Sequence, residues 1–125
     1  MIKTDKLSFH ILRIGLGITF LWIGIMIFME PEAWGGYLQP WAAKLLPIPV
    51  EQAMLGTAAL DAIIGVLLLT NLWTWLVALA AVAHIITVLI TSGITDITVR
   101  DIGLLAGAIA LITESSPLKV VKKIN

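Results

Sequence analysis

Cysteine is absent from all 125 residues. That removes disulfide staples, thiolate metal sites and any thiol–disulfide relay run by the chain itself. It leaves room for redox work by a quinone or by a partner's cofactor. Charge is scarce too: 13% of residues are charged, against about 25% in soluble domains. Eight cations cancel eight anions, with no basic cluster to neutralise phosphates, which argues against nucleic acid as a partner. Histidine occurs only as His10 and His84, one per apolar run, which is not bis-His haem spacing. No metal or flavin motif and no glycine-rich dinucleotide loop is present, so no cofactor is written into the sequence.

Apolar residues are abundant instead. They make up 59% of the chain, and the mean hydropathy is +1.02, whereas soluble domains are about 45–50% apolar. The excess predicts an all-α integral membrane protein of the cell membrane, in contact with the lipid bilayer. It reads as one domain, 1–125, a four-transmembrane-helix bundle with spans over about 9–29, 51–69, 73–90 and 97–113. The first run is too long for a signal core and lacks a small-residue cleavage site after it. The fourth is the shortest, opening on Arg100-Asp101.

Charge placement orients the bundle. Lys3, Lys6, Arg13, Lys119, Lys122 and Lys123 gather at one side. Lys44 and Arg100 lie at the other, with Glu30, Glu32, Glu51, Asp96 and Asp101. The positive-inside rule makes both termini cytoplasmic. Arg13, a turn inside the first run, is expected to snorkel to the headgroups there, with a buried partner or a substrate anion as the alternative.

Between the first two spans, residues 30–50 hold four of the five prolines, with Trp34, Tyr37 and Trp41 interleaved. Interfacial aromatics and helix-starting prolines predict a cap over about 31–48 on the bilayer surface, with one short helix at Trp41–Leu46. Gly17 and Gly24 on the first span and Gly103 and Gly107 on the fourth form close-packing faces. They leave surface for a homo-oligomer.

Two ionisable residues sit mid-span. A carboxylate at the bilayer centre costs about 2.5–3.5 kcal/mol on insertion scales, so Asp61 needs compensation. Counted back from the turn at Thr70-Asn71-Leu72, Asp61 and His84 differ in height by only about 3 Å. An Asp61–His84 pair is therefore available. Thr57 and Thr87 share its faces, and Arg100 and Asp101 lie above. Trp22, Phe20 and Trp41 are candidates to line an apolar slot. Ligand binding is thus expected at Asp61, His84, Arg100, Asp101, Thr57, Thr87, Trp22 and Trp41, with Asp61 and His84 the candidates for catalysis.

Several pieces together resemble the DoxX family, small four-helix membrane proteins of bacteria and archaea. They are Arg13-Ile-Gly-Leu-Gly17 with Phe20, Trp22 and Gly24; Glu30-Pro31 with Trp34 and Pro40-Trp41; Asp61 with Gly65; and His84 followed by Thr98-Val-Arg100-Asp101-Ile-Gly103. Asp61 stands where members often carry Glu, and a Lys common near the end of the first helix is missing. The resemblance implies a membrane component of a redox system, quinone-linked, beside an oxidoreductase partner. The residues themselves admit that reading, a non-enzymatic scaffold or assembly partner, and a small-ligand carrier.

Overall fold

Proline punctuates the first half of the chain. Pro31 and Pro40 occupy the first turns of two short helices, where a missing N–H costs nothing, and Pro49 directly precedes a long one. The computed structural model describes residues 6–117. Lys3 and the tail lysines Lys119, Lys122 and Lys123 lie outside the described residues. Six helices follow in order: α1 (Leu7–Met29), α2 (Pro31–Gly35), α3 (Pro40–Leu45), α4 (Val50–Thr70), α5 (Thr74–Ser92) and α6 (Arg100–Ser115). Three of them, α1, α4 and α5, are long and apolar enough to cross a membrane.

The segment between α1 and α4 holds two short helices where the sequence suggests one. Gly36 to Gln39 separates them, and Pro40 restarts the helix. Helix α6 begins at Arg100 rather than near 97, because residues 95–98 close into a turn of threonine hydrogen bonds. The Thr98 hydroxyl donates to the Gly93 carbonyl at 2.5 Å, and the Thr95 N–H donates to Thr98 Oγ1 at 2.8 Å. These bonds offer the backbone an alternative to helix.

Packing is densest between α1 and α4 and between α5 and α6. Glycine makes the first contact possible: a Cβ on Gly65 would lie 2.5 Å from the Leu21 nitrogen, and one on Gly24 would lie 2.8 Å from the Ala58 carbonyl oxygen. Gly17 and Gly24 of α1 therefore serve a seam inside the chain. On α6, Gly107 rests against Leu12 and Leu16, while Gly103 meets nothing within 4 Å. The expected close-packing pair on α6 is thus half used.

Arg13 departs from its expected role. It is buried, and its Nη1 donates to the carbonyls of Leu68 at 2.5 Å and Leu69 at 3.0 Å. Its Nε donates to His10 Nδ1 at 3.3 Å. The last carbonyls of α4 lack intrahelical partners, and a cation suits that negative end of the dipole. Satisfying them outweighs the hydration Arg13 would gain at the headgroups.

At the same end of the bundle, Lys6 Nζ pairs with Glu114 Oε1 at 3.0 Å. The start of α1 and the end of α6 are therefore level. The outward faces of the long helices carry exposed Trp22, Phe28, Ile63 and Leu79, a surface suited to lipid.

Candidate functional site

Asp61 and His84 meet where α4 and α5 run antiparallel after the tight turn at 71–73. The His84 Nε2–H donates to Asp61 Oδ1 at 2.8 Å, with both side chains largely buried. The short connection fixes the register of the two helices. Asn71 adopts a left-handed conformation (φ 57°), and the Leu72 N–H bonds back to the Leu67 carbonyl, closing α4 with a Schellman-type cap. The two residues lie at one depth because each sits a similar number of turns from that closure.

The pair forms part of the wall of a cavity of about 260 Å³. Thr57 of α4 and Thr87 of α5 line it too, with their hydroxyls bonded to the Ala53 and Ala83 carbonyls of their own helices. Arg100 and Asp101 reach it from the start of α6. The Arg100 Nε donates to the Ile97 carbonyl in the turn just before α6 at 3.2 Å. Asp101 is half-buried and within electrostatic reach of Arg100, Asp61 and His84. Its carboxylate makes no hydrogen bond among the described residues, so it presents acceptors to the cavity. Six of the eight sequence-derived ligand residues therefore converge.

Trp22 and Trp41 do not join them. Trp22 is 64% exposed and lines a separate cleft between α1 and α6, while Trp41 points outward at 46% exposure. The aromatic wall comes from Trp34 and Tyr37 instead, whose rings lie 6.0 Å apart at a tilt of 57°. Phe20, Ile23 and Ile27 of α1 complete the apolar side. Nothing in the spacing of Trp34, Tyr37 and Trp41 singles out the two that face inward.

The segment carrying α2 and α3 is held over this cavity. Gly35 packs on Val50 and Met54 of α4. Gln39 donates from its backbone N–H to the Thr91 carbonyl at 2.9 Å and from Nε2 to the Ile90 carbonyl at 3.1 Å, filling acceptors that the end of α5 leaves open. Replacing Gln39 with Ala removes the side-chain bond, worth about 1 kcal/mol. Limited proteolysis between α2 and α3 should then run about fivefold faster. An unchanged rate would show that the segment is not pinned there.

Among the described residues no three or more His, Asp or Glu side chains gather as a metal site would need. What the site offers is a carboxylate–imidazole pair, a second carboxylate and a cation around a small chamber with aromatic and aliphatic walls. Residues 8–94 of the chain match the DoxX family model. The match covers more than half of the chain and ends before α6. No curated protein and no solved structure shows a significant match.

Proposed function

Since the chain belongs to the DoxX family, we propose that it is a four-span membrane component of a redox system, whose cavity binds the head of a quinone. In this reading α6 is the fourth span and α2 and α3 form an interfacial cap. Both chain ends face the cytoplasm. The level ends of α1 and α6 support an even number of crossings, and the cation bias supports the direction. The observation that carries the function is the Asp61–His84 pair, set in an otherwise apolar, aromatic-lined chamber.

A quinone head needs an apolar slot for its ring and proton-exchanging groups at its oxygens. Trp34, Tyr37 and Ile27 supply the slot. With Nε2–H given to Asp61, His84 has Nδ1 available as a base, and the Asp61 carboxylate stabilises the imidazolium that would form. In the quinol-oxidising direction two protons leave the head, one to His84 Nδ1 and one to the Asp101 carboxylate. Its two electrons pass to a partner redox protein. Reduction runs the same transfers backwards. Arg100 holds the electronegative oxygens in place.

The test is quinone binding by the detergent-solubilised protein, followed through quenching of its tryptophan fluorescence. Asp61→Asn and His84→Gln keep the volume of the site and should each weaken binding about tenfold or more, with thermal stability reported alongside. Unchanged affinity in both variants would sink the reading. Absence of binding by the unaltered protein, with a stoichiometric protein partner co-purifying, would favour the scaffold. In that case Asp61–His84 acts as a structural link between α4 and α5.

A further inference from the structure

We infer that the cavity is entered sideways from the outer leaflet, through a cleft between α1 and α6, and that its ligand is an amphiphile whose single apolar tail lies in that cleft. This rests on the membrane placement proposed above and adds the ligand's shape and route.

The cleft follows from unequal helix lengths. Helix α1 has 23 residues and α6 has 16, or about 34 Å against 24 Å at 1.5 Å per residue. Their ends are level at the Lys6–Glu114 pair, so the deficit of about 10 Å falls wholly at the cap side. Near the level ends the two helices touch, with Gly107 against Leu12 and Leu16. Toward the cap they part, leaving a cleft of about 430 Å³ between Ile18, Thr19, Trp22 and Met26 of α1 and the first turn of α6.

The cleft adjoins the cavity. Ile23, Arg100, Asp101 and Leu104 line both spaces. The outer half of the cavity is roofed by the Trp34–Leu46 segment, which Gln39 pins to α5. The α1–α4 seam is closed by glycine contact. The α5–α6 face is closely packed and the Asp61–His84 bond bridges α4 to α5, which leaves the α1–α6 side, where the cleft lies, as the route. Its α1 wall is apolar, suiting a hydrocarbon chain, while Arg100 and Asp101 stand at the threshold where a head would turn in toward His84. A tail in the cleft and a head in the cavity match the division between the two linings.

The absence of native cysteine makes the test direct. Val88 lines the cavity but not the cleft, whereas Thr19 and Met26 line the cleft but not the cavity. The full chain carrying Val88→Cys is reconstituted in phosphatidylcholine nanodiscs and treated with decylmaleimide or with a sulfonated, membrane-impermeant maleimide. Decylmaleimide should label at least about tenfold faster, and adding Thr19→Trp should slow it about tenfold without changing the sulfonated reagent. If Thr19→Trp fails to fold by size exclusion, Met26→Trp serves as the plug. Equal labelling by both reagents, or a folded plug variant that labels at the parent rate, would overturn the side entrance.

A second arm uses decyl-substituted and tail-less benzoquinone. The plug should weaken the first about tenfold and leave the second unchanged. An equal effect on both would overturn the tail assignment. If neither quinone binds the unplugged protein while labelling behaves as expected, the quinone reading fails and the side entrance for another tailed amphiphile stands.

Discussion

Gly65→Leu should prevent assembly of the helix bundle. The first atom of any side chain there would lie 2.5 Å from the Leu21 nitrogen and 2.7 Å from the Gly17 carbonyl oxygen. Both neighbours are backbone, so no rotamer change relieves the clash, and α1 would have to move off α4 along its length. Overpacking a core typically costs about 1–3 kcal/mol when side chains can adjust. Here they cannot, so Gly65→Leu should exceed that range, and Gly65→Ala should fall near its upper end. Gly103→Ala is the control: nothing lies within 4 Å of it, and the change should be neutral or stabilise by up to about 1 kcal/mol. Reversible unfolding in mixed detergent micelles reads all three. A Gly65→Ala protein as stable as the parent would show that the seam is looser than its geometry.

Arg13→Ala should be nearly as damaging. The substitution takes the donor from two carbonyls at the end of α4 and removes the bond to His10 Nδ1. Hydrogen bonds from a charged donor contribute about 1.5–3 kcal/mol each, and bonds bunched on one guanidinium are not additive. A loss of about 3 kcal/mol in the same unfolding measurement is expected. Arg13→Lys should recover only part of it, because an ammonium cannot span both carbonyls and the imidazole as a planar fork does. A headgroup-facing Arg13 would instead give a loss below about 0.5 kcal/mol, and that result would reject the capping role.

Arg13 also shows where reading the chain stops. Its place in the first apolar run is plain, but its partners lie 55 and 56 residues away. Only the packing of α1 on α4 brings them near. Asp61 and His84 were legible because one tight turn ties their helices, so counting residues measures height. The aromatic wall was not. Trp34, Tyr37 and Trp41 look alike as interfacial residues, and which of them face inward depends on how two short helices bend around Gly35 and Gly36. Trp22 failed for a different reason. Its face of α1 would meet a neighbour if α6 were as long as α1, and the threonine turn at 95–98 shortens α6 at that level. The apolar runs themselves mark the long helices to within a few residues, since each is ended by a proline, an Asn or a Gly.

The bundle packs as two halves. One is α1 welded to α4 by glycine contact, and the other is α5 laid along α6; packing across α4–α5 and α1–α6 is sparse. The Asp61–His84 bond spans the joint between those halves. Removing that bond should therefore loosen the joint between the two helix pairs. The halves should then swing about the turn at 71–73, and spin labels placed on Leu60 of α4 and Leu79 of α5 should report a broadened distance distribution. An unaltered distribution in Asp61→Asn and in the parent alike would mean that the joint is held by the cap and not by the pair.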